Sequence, residues 1–332
     1  MSQSRDNHVG LSMSKISSSV LFGTLIALAI SSAPAHAQNA RSFVSGLGND
    51  ANAPNCSRTA PCRTFQVAHD STLASGEISV LDPGSYGAVT ITKSISIIND
   101  GVGEAGALVS GGLNGININA GANDRISLRG LTVKGIGFGG GNGIVFSTGR
   151  FLSVENCVIR AMTGTSVNQF IGYGIIFNPS SDAELNVSNT VTSDNEGHGI
   201  AIVPRSNAKA QVAFNYVQAN KNGSVGIAFA DSTSGLIIAA IDNSVIAYNT
   251  VGIGLDAPAQ HGPVLANVTR SVVIGNGTGF LSGVSGVIAV GQSNVTGNTV
   301  TWSGQVESYQ DNYVTQNLDG NPAPPLGAIA KK

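Results

Sequence analysis

From about residue 170 to residue 317 the chain restates one pattern: Asn-x-Val, a short interval, a second Asn, a turn, then Gly-Ile followed by an aliphatic residue or Phe. The second asparagines are read at Asn195, Asn220, Asn249, Asn276, Asn298 and Asn317, spacings of 25, 29, 27, 22 and 19 residues. Periods of this length belong to stacked coils, in which a unit too small to bury its own apolar face buries it against its neighbours.

The coil is read as strands. Segments aligned on their glycine are Gly174-Ile-Ile-Phe177, Gly199-Ile-Ala-Ile202, Gly226-Ile-Ala-Phe229 and Gly252-Ile-Gly-Leu255, with Gly143-Ile-Val-Phe146 an earlier copy and Gly279-Phe-Leu281 a degenerate later one. Side chains alternate along a strand, so the Ile and the residue two later face one side, taken as the core. Second strands are read around Glu184-Leu-Asn-Val187, Lys209-Ala-Gln-Val212 and Gly235-Leu-Ile-Ile238, and third strands around Thr190-Val-Thr192, Tyr216-Val-Gln218 and Ser244-Val-Ile246. A helical repeat would need apolar residues at spacings of three and four. Instead the chain has 43 Gly, only 11% charged residues, and runs of Val, Ile and Thr that suit pleated strands. Leucine-rich repeats are excluded by the missing leucine consensus and the drifting period.

The recurring asparagine has a physical reason. A buried turn leaves backbone donors and acceptors that need partners, and an Asn in each coil supplies both while tolerating left-handed dihedrals. Like residues stacked about 4.8 Å apart then form a hydrogen-bonded ladder.

With these strands and turns the chain resembles the right-handed parallel β-helix proteins of bacteria, a superfamily that includes pectate lyases, polygalacturonases and alginate epimerases. The resemblance spans about residues 41 to 317. Its strongest match is the opening: Arg41-Ser-Phe-Val-Ser-Gly-Leu-Gly-Asn-Asp50, then Cys56, Pro61-Cys-Arg-Thr-Phe65, and Glu77-Ile-Ser-Val-Leu-Asp-Pro-Gly-Ser-Tyr86. It implies an all-β fold of three-strand coils, about ten turns, with an N-terminal capping helix.

Four regions are expected. Residues 1–37 read as a secretory signal, with an apolar run from Val20 to Ile30 and Ala35-His36-Ala37 as a small-x-small cleavage site; Met13, with Lys15 behind it, is an alternative start. The run is too short to span a bilayer, so a secreted or periplasmic location without a membrane span is expected. Residues 38–76 hold a first strand, a loop whose Cys56 and Cys62 form a disulfide in an oxidising compartment, and an amphipathic helix over Arg63 to Ser75 that lids the solenoid. Zinc is the alternative for the cysteines, with His69 the only nearby further ligand. Cys157 is expected buried. Residues 77–318 form the β-helix, whose last coils Trp302, Tyr309 and Tyr313 cover, and residues 319–332 a Pro-rich tail, extended or disordered. A monomer is expected, needing no cofactor to fold.

The formal net charge of −2, with scattered lysines and arginines, disfavours nucleic acid. Glu196-Gly-His-Gly199 is similar to the Gly-His-Gly motif of polygalacturonases, but the paired carboxylates that glycoside hydrolysis needs are not visible. Asp82-Pro-Gly84 is a first-coil turn and does not support epimerase activity. Stacking also generates a polar column after the Gly-Ile strands: Asn178 and Asp182, then Arg205, then Asp231, then Asp256 with His261, beside Glu196 and His198. His198, Arg205 and Asp231 are the candidate catalytic residues and Asn178, Asp182, Glu196, Asp256 and His261 the candidate substrate-binding residues. Lyase chemistry would use a base such as Arg205, or Lys209, with Ca²⁺ as the cation; a plainly solvated face is the other reading. The function expected is an exported protein that binds an acidic extracellular or cell-envelope polysaccharide, with processing by a lyase or hydrolase reaction left open. The alternative is a non-catalytic structural or adhesive surface protein.

Overall fold

Each coil closes on three short strands, and the equivalent strands of successive coils pair side by side. Ala183–Ser188 pairs with Lys209–Asn215, Val191–Ser193 with Gln218–Asn220, and Ile200–Ile202 with Val225–Ala230, all parallel. The computed structural model describes residues 39–136, 141–164, 171–205, 207–230, 235–256, 262–319 and 327–329; the expected signal, residues 1–37, lies outside them. Among the described residues the strands make three sheets of twelve, ten and nine strands. In chain order within a coil these are the first, second and third sheets, and together they form a parallel β-helix, with one α-helix among the described residues near its start.

The core is a set of columns. In the third sheet Ile116, Ile144, Ile175, Ile200, Ile227 and Ile253 stand in register, as do Phe146, Phe177, Ile202, Phe229 and Leu255, all buried. Phe146 stacks on Phe177 with ring centroids 4.6 Å apart. The alternation read from the Gly-Ile segments therefore places the core correctly.

The turn from second to third sheet carries the ladder. A residue with positive φ, such as Asp194, Lys221 or Tyr248, reverses the chain, and the next residue is the buried asparagine: Asn195, Asn222, Asn249, Asn276 and Asn298. Each Oδ1 accepts from the preceding coil, and from Asn249 onward it accepts twice. Asn249 Oδ1, for example, accepts the backbone N–H of Asn222 at 2.9 Å and its Nδ2 at 3.0 Å. The other Nδ2 hydrogen reaches a backbone carbonyl, as from Asn222 to Thr192 and from Asn249 to Ala219. The rung is thus Asn222 and not the expected Asn220, which ends the strand Gln218–Asn220 with its side chain on the outer face. The ladder steps become 27, 27, 27, 22 and 19 residues. A second, hydroxyl ladder lines the turn from first to second sheet, where Ser244, Ser271 and Ser293 each take the backbone N–H of the coil before, at 3.1–3.2 Å.

The N-terminal end is sealed. The helix Phe65–Ser71 is capped by Thr64, whose Oγ1 accepts the Val67 N–H, and it buries Phe65 and Ala68. It is shorter than expected: the chain becomes a strand at Thr72, whose hydroxyl bonds Ala68 O, and Leu73 is 45% exposed. Gln66 Oε1 and His69 Nε2 accept the N–H groups of Thr90 and Thr92, covering the bare edge of the third sheet. Cys56 and Cys62 are bonded with Cα atoms 4.9 Å apart; so short a loop contributes about 2 kcal/mol. At the other end Trp302 packs against the core, whereas Tyr313 is 75% exposed and covers nothing. Beyond the prolines, Gly327–Ala328 returns to the first sheet beside Val306–Ser308.

Replacing Asn222 leaves the amide of Asn195 buried without this acceptor and removes its own side-chain bonds to Asn249 and Thr192. Asn222→Ala is expected to cost about 2 to 3 kcal/mol in urea unfolding, whereas Asn220→Ala, off the ladder, stays within about 0.5 kcal/mol. Equal losses would remove the ladder as the support of the turn.

Candidate functional site

The turns from third to first sheet are the long, irregular ones, and they hold most of the polar column. Asn178 follows the strand Ile175–Phe177 and is buried, its backbone N–H donating to Phe146 O at 2.9 Å while its Oδ1 lacks a hydrogen-bond partner. Asp182 caps the next coil: its Oδ1 accepts the Lys209 N–H at 2.9 Å and its carbonyl accepts from Arg150 Nη1. Arg205 is exposed one coil on, its backbone N–H donating to Pro179 O. These three share a corner. Asp231 and His261 lie outside the described residues, and Asp256 is placed only by its backbone, ending the strand Val251–Asp256 in register with Ala230.

Glu196 and His198 do not join that corner. They precede the strand Ile200–Ile202, whereas Arg205 follows it, and a three-residue strand separates its ends by about 10 Å. Catalysis shared by His198 and Arg205 is therefore not what this arrangement builds. Glu196 Oε2 instead accepts the Gly164 N–H at 2.8 Å and braces the loop of the coil below. Among the described residues no three His, Cys, Asp or Glu side chains converge as a metal site.

A groove missed by the sequence reading lies on the outer face of the first sheet. Register aligns Ser127, Ser153, Asn186, Ala213, Ala240, Asn267 and Ala289 in one outward column. These side chains are short, so the column forms a floor. One wall is the parallel column Arg125, Phe151, Glu184, Gln211, Ile238 and Leu265. The resulting groove has a volume of about 670 Å³ along coils from Phe151 to Asn267. At its N-terminal end the Arg125 guanidinium sits 4.3 Å from the centroid of the Phe151 ring, and Arg150 pairs with Glu184 at 2.8 Å. Nothing in each strand alone signals this; the signal is the alignment of small outward residues across coils.

His198 is held by its own turn. Its ring rests on Tyr173 of the previous coil, centroids 4.5 Å apart, and Gly197 leaves the room, since a Cβ there would stand 2.0 Å from that ring. Its Nδ1 accepts the Val225 N–H at 3.1 Å, which places the proton on Nε2. Burial lowers its pKa to about 4, so the imidazole is neutral at pH 7 with one nitrogen already committed.

The sign of the resulting pH dependence follows from linkage. The unfolded chain takes up the proton near pH 6.5 and the folded chain only near 4, so this stability is full above about pH 6.5 and is lost as pH falls toward 4. The loss is on the order of 2 kcal/mol after discounting the part of the ring that water reaches. His198→Asn, which keeps a short acceptor for Val225, is expected to flatten urea midpoints across that window; an unchanged slope would place the titration elsewhere.

No family model matches the chain, and no curated protein matches it by sequence. Solved structures do. The crystal structure of pectate lyase Pel9A superposes with a TM-score of 0.67 at 17% identity, covering 88% of this chain and 78% of that one. A GH136 lacto-N-biosidase from Eubacterium ramulus gives a TM-score of 0.46 at 13% identity, covering 88% and 67%. At such identities the likeness to the lyase is one of fold, and it agrees with the stacked sheets: the chain is a parallel β-helix of the kind that pectate lyase Pel9A adopts.

Proposed function

We propose that this is an exported protein that binds an acidic polysaccharide along the outer groove of the first sheet. The observation that carries the reading is the continuous floor of small side chains, which leaves an open-ended trough matched to an extended chain rather than to a compact ligand. Amides line it at Asn186, Gln211 and Asn267, where hydroxyls of a sugar chain find donors and acceptors. Arg125 and Arg150 stand at one end, where a uronate carboxylate would be met by guanidinium groups. Ca²⁺ bridging a uronate carboxylate would aid that binding. The disulfide and a fold shared with pectate lyase Pel9A support an extracellular or cell-envelope setting.

The groove supports binding ahead of turnover. Glu184, the carboxylate in its wall, is tied to Arg150, and hydrolysis needs two carboxyls poised across the scissile bond. Elimination would need a base beside the sugar, and Arg205 and Lys209 are the described candidates for it.

The test is electrophoretic retardation of the purified chain in gels containing polygalacturonate, alginate or xylan, with and without Ca²⁺. Ala240→Trp places a bulky ring on the exposed floor and is expected to weaken retardation at least tenfold, about 1.4 kcal/mol, with little change in stability. Ultraviolet absorbance of unsaturated product and new reducing ends would reveal turnover, which Arg205→Ala should abolish if a lyase reaction occurs. Absence of retardation by every polysaccharide would overturn the reading and leave a structural or adhesive role.

A further inference from the structure

Two tyrosines stand where the fold gives them no structural return. At the reversal from first to second sheet the positive-φ position holds Asn189, Asn243, Arg270 and Gln292, but also Tyr216 with φ 55°. At the reversal from second to third sheet it holds Asp194, Lys221, Gly275 and Gly297, but also Tyr248 with φ 58°. The left-handed region is unfavourable for a bulky side chain, and Asn or Gly meets it at lower cost. That strain is not offset by burial: Tyr216 is 56% and Tyr248 60% exposed. Strained, exposed side chains that contribute nothing to the core point to use by a ligand.

The surroundings are arranged for one. A Cβ on Gly275 would stand 2.6 Å and 2.7 Å from ring carbons of Tyr248, so the ring lies across this glycine with its other side in water. The strand Gln218–Asn220 pairs with Val245–Ala247; Tyr216 lies two residues before the first and Tyr248 directly after the second. The two residues therefore border one narrow strip of the second sheet, roughly 15 Å apart at 3.3 Å per residue. Between them Gln218 is exposed, whereas Asn220 is half-buried with its Oδ1 turned away from solvent.

We propose that Tyr216, Tyr248 and Gln218 form a second glycan-binding surface, on the second sheet and separate from the groove. A pyranose ring pairs an apolar C–H face with a rim of hydroxyls, and two spaced aromatic rings with an exposed amide between them offer the complement of both. The rings are separated by polar groups instead of merging into one apolar patch, which favours a sugar chain over a protein partner.

Nitration of the tyrosines, read by mass spectrometry, tests this on the full chain with oligosaccharides of polygalacturonate, alginate or xylan. With at least one of them, modification of Tyr216 and Tyr248 should fall at least fivefold while Tyr313 reacts as before, and this protection should persist in Ala240→Trp, whose groove is blocked. Protection lost in Ala240→Trp would mean that both tyrosines are shielded only by a groove-bound chain, and would overturn the second site without touching the groove. Protection by none of the three would overturn it as well. The double variant Tyr216→Asn, Tyr248→Gly, built from residues that neighbouring coils carry, should keep or raise the melting temperature and weaken binding by Ala240→Trp protein at least fivefold; unchanged binding would refute the proposal.

Discussion

Everything in this fold depends on burying a chain reversal without leaving its amides bare. A coil turns sharply from second to third sheet, inside the stack, where water cannot reach the backbone. The asparagine solves this for two coils at once, accepting a backbone N–H and an amide N–H from the coil before while its own amide donates onward. Because each rung's amide needs the next rung as an acceptor, the interaction sets the height and lateral position of every coil relative to its neighbour. The positive φ just before it, and the hydroxyl column at the preceding turn, serve the same alignment.

Alignment has a functional corollary. Once coils are in strict register, an outward position becomes a column, and the character of a face depends on which residue type recurs at one position across coils. Repetition of Ser, Ala and Asn at the middle outward position of the first sheet hollows a trough that no single strand encodes. Conversely, a residue that departs from its column, such as Tyr248 among Asp194, Lys221 and Gly275, is conspicuous because the backbone requirement at that height is the same for all.

This explains what was legible. The Ile and Phe columns were, because period-two alternation after each glycine marks inward side chains. The rung between Asn195 and Asn249 was misplaced by two residues because Asn220 and Asn222 flank the same reversal at Lys221, and only burial distinguishes them. Asn178, Asp182 and Arg205 share a corner because all follow third-sheet strands. Glu196 and His198 were grouped with it wrongly, because residues close in sequence fall on opposite ends of a strand that runs across the coil. The groove was invisible for the opposite reason: its floor is made of residues too ordinary to single out one at a time.

The ends differ in a way that bears on where binding is placed. At the N-terminus a helix, a disulfide and the Asp82 carboxylate secure the first coil, the last by accepting from Gly46 and Tyr86. Burial alone would raise the Asp82 pKa, but those hydrogen bonds and that from Ser45 bring it below the usual range. At the C-terminus the ladder runs out at Asn317, and Asp319 satisfies Thr301 with two hydrogen bonds. In a stack held by nearest-neighbour contacts, opening begins at the less secured end and propagates inward. The groove occupies coils between Phe151 and Asn267, flanked by further coils on both sides. Its walls thus stay in register when terminal coils open, which an extended ligand contacting several coils at once requires.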